Sequence, residues 1–127
     1  MNETKTLRQI NQTLKTTRRI IQGYEKIGLV KPCGLNKYGH LLYDQKAFDR
    51  IVEIRFYQKI GFGLKEIKDF IDRPEDEKRS ILITKRKDLL NDISVLEERH
   101  KTLNEIITCN NRENISELML KIIKEDR

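Results

Sequence analysis

The sequence is poor in the residues that build turn-rich β folds, disulfide frameworks and zinc sites. It has no tryptophan, its aromatic content is 6%, and its six glycines all precede residue 64. We therefore do not expect a turn-rich β fold in the second half. The two cysteines, Cys33 and Cys109, form no C-x-x-C pair, so neither a disulfide framework nor a structural zinc site is predicted. We expect no metal and no cofactor.

Long apolar runs are also missing. The longest have three residues, such as Ile81-Leu82-Ile83, and the opening MNETKTLRQINQ lacks the apolar stretch of a signal peptide. We therefore expect a cytoplasmic protein that has no membrane partner.

Positive charge is present in excess, and it is unevenly distributed. The chain has 26 Lys and Arg against 20 Asp and Glu. Residues 1–75 hold 15 of the basic and nine of the acidic side chains, whereas residues 76–127 hold 11 of each. This asymmetry indicates a basic binding module followed by a neutral helical half, although a net charge of +6 also serves solubility alone.

The first 30 residues have the pattern of two short helices joined by a tight turn. Thr6 is placed to cap a helix that ends at Leu14, and Thr16 or Thr17 to cap a second helix. Gly28 stands where a helix commonly ends in a left-handed residue. Such a pair is typical of a helix-turn-helix.

Residues 31–43, KPCGLNKYGHLLY, indicate a small β-ribbon, or wing, with Asn36-Lys37 at its tip. Asp44 is predicted to cap the next helix, which runs to about Lys59. Its predicted apolar side comprises Phe48, Ile51, Val52, Ile54, Phe56 and Ile60. A short helix over residues 64–71 follows, and Pro74 ends it.

The second half is dominated by a 4–3 repeat of leucine and isoleucine. The repeat predicts one helix from about Glu75 to Cys109, roughly 50 Å long at 1.5 Å per residue. Leucine at one repeat position and mostly isoleucine at the other is a two-stranded coiled-coil pattern, so we expect a homodimer; the alternative is a monomeric bundle helix. The predicted dimerisation residues are Leu82, Leu89, Ile93, Leu96, His100, Leu103 and Ile107. Asn114 and Glu117 are predicted to cap a last helix.

Catalytic patterns are not found. His40 and His100 fall in different elements, and the sequence has no H-E-x-x-H, nucleophile elbow or phosphate-binding loop. We therefore expect that the protein is not an enzyme.

Binding to nucleic acid explains the basic first half better than catalysis does. Arg18 and Arg19 stand in the first turn of the second helix, where a helix in the major groove presents side chains to base edges. The remaining candidates are expected to contact phosphates or the minor groove. They are Lys15, Thr16 and Thr17 before this helix, and Lys37, Tyr38 and His40 in the ribbon.

Three segments, TTRRIIQGYEKIGLVKP, KYGHLLYDQKAFDRI and FYQKIGFGLKEIKDFI, resemble the MerR family of bacterial transcription regulators. The resemblance covers residues 5 to 75. It implies a mainly α fold, with a winged helix-turn-helix head at 1–75, an antiparallel dimerisation helix at 76–110 and a short C-terminal helix at 111–127. It also implies a dimer that distorts a promoter operator for RNA polymerase in response to an effector. By resemblance, Arg19, Tyr24 and Tyr43 join the DNA-binding residues.

The sequence departs from the family pattern at four places. Gln22 stands where the family has an arginine and Gly23 where it has a DNA-contacting tyrosine, while His40 and Leu41 replace a wing tyrosine and arginine. A dimer then lacks about four phosphate contacts, so the salt dependence of binding should be shallower by roughly four units of slope. A protein-interaction adaptor on the same fold is the alternative function.

The effector is not identified by the sequence. Cys109 has no second thiol after it, as a soft-metal sensor would need, and neither cysteine has the adjacent basic pair that activates a thiol. His100 in the dimer contact is either a pH switch or a polar residue that fixes the helix register.

Overall fold

The computed structural model describes residues 3–125 and divides into two compact units, at Pro74 and Glu75. Helix predominates, as the sequence predicted, and the first unit also contains a three-stranded sheet. No described helix combines the length and the apolar character needed to cross a membrane.

The first two helices, α1 (Leu7–Leu14) and α2 (Arg18–Lys26), both begin at a threonine. The Thr6 hydroxyl accepts from the Gln9 N–H at 3.3 Å, and the Thr6 N–H donates to Gln9 Oε1 at 2.8 Å. At α2 the cap is Thr17, whose hydroxyl accepts from the Ile20 N–H. Lys15 adopts a left-handed conformation with φ +55°, which turns the chain sharply between the two helices.

The wing is part of an antiparallel sheet formed by β1 (Lys5–Thr6), β2 (Gly34–Leu35) and β3 (Leu41–Tyr43). The strand order is β1-β3-β2, with Lys5 opposite Tyr43 and Leu35 opposite Leu41. The ribbon confirms the sequence prediction. We did not predict β1, because a strand of two residues is too short to show an alternating pattern.

Two further helices, α3 (Gln45–Lys59) and α4 (Leu64–Phe70), complete the first unit. Asp44 caps α3 by accepting from the Ala47 N–H at 2.8 Å. The rings of Tyr57, Phe62 and Phe70 pack within 4.7–5.8 Å of one another. The predicted apolar side of α3 was wrong in part. Ala47, Ile51, Ile54 and Tyr57 face the core, whereas Val52, Phe56 and Ile60 are exposed.

The second unit begins with α5 (Glu75–Thr108), a single helix of 34 residues. The helix confirms the prediction from the 4–3 repeat. Within one chain its repeat positions are largely exposed, rising from 45% for Leu89 to 74% for Ile107. His100 is also exposed, and Leu82 is half-buried.

The last helix, α6 (Arg112–Glu125), corrects the predicted cap. Asn111 rather than Asn114 begins the helix, because its side-chain oxygen accepts from the Glu113 N–H and its carbonyl accepts from the Ile115 N–H, both at 2.9 Å. Ile115, Leu118 and Ile122 are half-buried, while Met119 and Ile123 are exposed.

Candidate nucleic-acid interface

Three exposed cationic side chains, Lys15, Arg18 and Arg19, lie together where α2 begins. Arg18 and Arg19 occupy the first turn of α2, and Lys15 and Thr17 precede them; all four are exposed. The first-turn N–H groups and the helix dipole add positive potential at this end. This arrangement presents two guanidinium groups and a hydroxyl to a polyanion.

Thr16, another predicted contact residue, is buried instead. Its hydroxyl donates to Asn11 Oδ1 at 2.7 Å, and its N–H donates to the Asn11 carbonyl at 3.2 Å. Thr16 thus closes the turn between α1 and α2. The expectation that its hydroxyl reaches a phosphate is corrected, because that hydroxyl is used inside the protein.

The side of α2 opposite its arginines is anchored in the core. Ile21 and Tyr24 are at most 1% exposed, and the Tyr24 hydroxyl donates to Gln58 Oε1 on α3 at 2.5 Å. Burial raises the pKa of Tyr24, so its phenol stays a proton donor. The structure therefore corrects the expectation that Tyr24 contacts DNA directly: Tyr24 fixes α2 on α3.

Tyr43 forms the second anchor of α2, from the wing. It is 1% exposed, and its hydroxyl donates to Glu25 Oε1. Burial, and then the Glu25 carboxylate, raise the pKa of Tyr43 well above its usual value, while nearby Arg18 opposes that rise. Direct DNA contact by Tyr43 is corrected in the same way, because this side chain joins β3 to α2.

The tip of the wing carries the other exposed candidates, Lys37, Tyr38 and His40. Asn36 shapes the tip: its Oδ1 accepts from the N–H groups of Tyr38 and His40, each at 2.9 Å. Gly39 has φ +80°, which favours glycine at this turn position. The Tyr38 ring lies 6.4 Å from the His40 ring and 5.1 Å from the Lys37 ammonium, so the three side chains form one exposed cluster.

Sequence reasoning missed several residues that hold this interface in place. One of them is Gln58, whose Oε1 accepts the hydrogen bond from the Tyr24 hydroxyl. Arg50 donates from both Nη atoms to the Asp72 carboxylate at 2.7 Å and from Nε to the Leu29 carbonyl at 3.3 Å. This contact raises the pKa of Arg50. Arg50 thus joins α3 to the segments that follow α2 and α4, and no local sequence signal marks partners so far apart.

The described residues assemble no metal site. Across 3–125, no group of three His, Cys, Asp or Glu side chains is arranged to hold a metal ion. Cys33 is a free, exposed thiol beside the wing, and Cys109 is a free, half-buried thiol just after α5.

An anchored helix with exposed arginines, followed by a basic β-ribbon, defines a winged helix-turn-helix protein of the DNA-binding type. The family profile described as "MerR HTH family regulatory protein" matches residues 5–73. The chain belongs to this family, and the resemblance drawn from the sequence is confirmed.

Curated relatives are transcription regulators rather than enzymes. The chain is 26% identical over 126 residues to the transcriptional activator mta of Bacillus subtilis, covering 94% of this chain and 49% of mta. It is 35% identical over 66 residues to the transcriptional activator TipA of Streptomyces coelicolor, covering 52% of this chain and 26% of TipA. The chain thus spans about half or less of the length of these relatives.

Solved structures agree on the fold. The N-terminal part of the multidrug transporter activator of Bacillus subtilis, MtaN, matches with TM-score 0.74 at 25% identity, over 83% of this chain and 99% of that one. A MerR-family regulator from Bacillus cereus matches with TM-score 0.73 at 21% identity, over 98% of this chain and its own full length. HiNmlR, a family member lacking the sensor domain and solved on promoter DNA, matches with TM-score 0.59 at 21% identity, over 83% and 84%.

Proposed function

We propose that this protein is a sequence-specific transcription regulator that binds a promoter operator as a homodimer. One observation carries the proposal: Arg18 and Arg19 are exposed in the first turn of α2, while the Tyr24 hydroxyl holds this helix to α3 and the Tyr43 hydroxyl holds it to the wing. A helix that reads base edges must be held in a fixed orientation, because a displacement of about 1 Å breaks a bidentate contact.

In the proposed complex, α2 lies in the major groove of double-stranded promoter DNA. Arg18 and Arg19 reach bases or adjacent phosphates, while Lys15 and Thr17 contact the backbone. Lys37, Tyr38 and His40 in the wing contact the neighbouring backbone or minor groove. HiNmlR, which shares the fold, was solved on promoter DNA, and this supports DNA binding as the use of the fold.

We place the dimer contact on α5. Its repeat positions define the α5 seam, and the apolar members from Leu89 onward are exposed within one chain. A second copy would remove these side chains from water, which is the main driving force for such an association. His100 and the half-buried Leu82 lie on the same seam, which comprises Leu82, Leu89, Ile93, Leu96, His100, Leu103 and Ile107.

By family resemblance, the dimer distorts the operator so that RNA polymerase can use the promoter, and an effector controls this change. Bending or untwisting a site costs on the order of 1–6 kcal/mol, which contacts from two heads must offset. The effector and the contact with RNA polymerase belong to this proposal.

The test is a double substitution, Arg18→Ala with Arg19→Ala. We expect loss of the preference for the duplex found upstream of the protein's own coding sequence over a scrambled duplex, measured by fluorescence anisotropy. The matched control is Lys87→Ala with Lys101→Ala, which removes two exposed charges from α5 at positions off the seam. Equal binding by the arginine variant and the unchanged protein would contradict the proposal.

A protein-interaction adaptor is the second candidate function. Leu35 and Leu41 face each other across the ribbon and both are exposed, and Leu41 stands where the family pattern has an arginine. Under this alternative, the arginine double variant would still capture its protein partner, and the unchanged protein would show no preference among duplexes.

A further inference from the structure

The charge of the wing tip depends on one titratable ring. Between Leu35 and Leu41 the sequence is Leu-Asn-Lys-Tyr-Gly-His-Leu, which contains no acidic residue and only Lys37 as a permanent cation. An imidazole gains a positive charge as the pH falls from about 8 to about 5. Protonation of His40 therefore doubles the positive charge of this segment.

The turn holds His40 in a fixed place on the exposed tip. Its N–H donates to Asn36 Oδ1 and its carbonyl accepts from the Asn36 N–H, both at 2.9 Å. The ring is exposed and lies beside Tyr38, whose ring is in turn covered by the Lys37 ammonium. Tyr38, in ring contact with His40, and Lys37, over the Tyr38 ring, are the titratable groups of this cluster, and the ion pair between Arg50 and Asp72 does not involve His40.

We propose that His40 is a DNA-contacting residue whose protonation strengthens the grip of the wing on the phosphate backbone. The inference rests on the proposed DNA-binding function and deepens it. A polyanion stabilises the charged form of an adjacent imidazole, so the complex binds a proton that the free protein releases. By linkage, DNA affinity rises as the pH falls.

The test measures affinity for a duplex of about 30 base pairs, taken from upstream of the coding sequence, at constant ionic strength from about pH 8 to about pH 6. One added charge-assisted contact raises DNA affinity on the order of tenfold for each head, and therefore about a hundredfold for the two heads of a dimer. We expect this increase in the unchanged protein.

Two substitutions at His40 test whether the charge of its imidazole causes the pH dependence. His40→Gln keeps a polar side chain without a titratable charge, so its affinity should be weak and independent of pH. His40→Arg is charged throughout, so its affinity should be high and independent of pH.

Two controls separate this effect from others. His100→Gln removes the other histidine of the chain and should keep the pH dependence. Lys37→Gln should lower affinity at every pH and keep the dependence.

A pH dependence that survives in His40→Gln, or a flat profile in the unchanged protein that still prefers its own duplex, would overturn this inference alone. Failure of the unchanged protein to bind any duplex at any pH would overturn the proposed function, and the inference with it.

Discussion

The two units differ in where they keep their apolar side chains. In the described residues, the buried apolar side chains all lie between Ile10 and Ile71, within the first unit. Along α5 and α6, leucine and isoleucine are exposed or half-buried, and the side chain that is buried there is Lys78. The first unit builds a buried apolar core within one chain and leaves a few apolar side chains exposed, among them Val52 and Phe56, whereas the second unit has no buried apolar side chain among its described residues and presents a surface suited to a partner.

The largest effect on stability should come from a cavity in the core of the first unit. Ile51 is fully buried, so Ile51→Ala should lower the free energy of unfolding by about 2–5 kcal/mol. Its neighbour Val52 is 40% exposed, so Val52→Ala should cost about 1 kcal/mol or less. Urea denaturation of both variants checks this difference, and equal losses would contradict the burial pattern of α3.

The next effect concerns the exposed seam of α5. Leu96 is 60% exposed in one chain, and Leu96→Asp would place a carboxylate in the proposed dimer contact. We expect at least about a hundredfold weaker dimerisation, or about 3 kcal/mol, by sedimentation equilibrium. Asn91→Asp, which adds the same charge at an exposed position off the seam, should leave the dimer intact. If Leu96→Asp dimerises normally, the second unit does not use this surface.

A smaller effect is expected from the hydroxyl that joins the wing to α2. Tyr43→Phe removes the hydrogen bond to Glu25 and should cost about 1–2 kcal/mol near neutral pH. Tyr38→Phe, whose hydroxyl is on an exposed ring, is the control and should cost almost nothing.

The same substitution has a pH signature. The pKa of Tyr43 is raised in the folded state, so its contribution is fully present below about pH 10, where unfolded tyrosine begins to ionise, and is lost above that pH. The stability lost on raising the pH beyond that point should therefore be smaller in Tyr43→Phe than in the unchanged protein. An identical alkaline loss in both would contradict the assignment.

The smallest expected effect is a gain in stability. Gly23 lies inside α2 with open space around the position of a Cβ and no positive φ, so Gly23→Ala should raise stability by about 0.5–1 kcal/mol. Gly28 has φ +82°, so Gly28→Ala should lower stability instead. Melting temperatures of the two variants should move in opposite directions; a common direction would contradict the backbone geometry.

Local features were predictable from the sequence because their causes lie within a few residues. The Thr6 cap, the Asp44 cap and the left-handed Gly28 each depend on near neighbours. The choice between Thr16 and Thr17 was not predictable, because it depends on Asn11 accepting the Thr16 hydroxyl. At α6 the sequence predicted Asn114 as the cap from its spacing to Glu117, whereas in the structure Asn111 begins the helix.

The candidate site was predictable only in part. Arg18 and Arg19 were located by their position at the start of α2, which the structure keeps exposed. The anchoring roles of Tyr24 and Tyr43 were not predictable, since their partners Gln58 and Glu25 lie in other elements. A resemblance marks such tyrosines as important without saying which way they face.

The turn built around Asn36 has a consequence for the chemical ageing of the protein. A single amide oxygen accepts two backbone N–H groups at the tip of the wing. Asparagine is a thermally labile residue, and hydrolysis of its amide leaves a carboxylate that still offers an oxygen acceptor. Conversion of Asn36 to aspartate would therefore keep an acceptor for these two N–H groups while placing a negative charge beside Lys37. An old sample that contains this product would keep its ribbon turn and yet have lost the net charge of its wing tip.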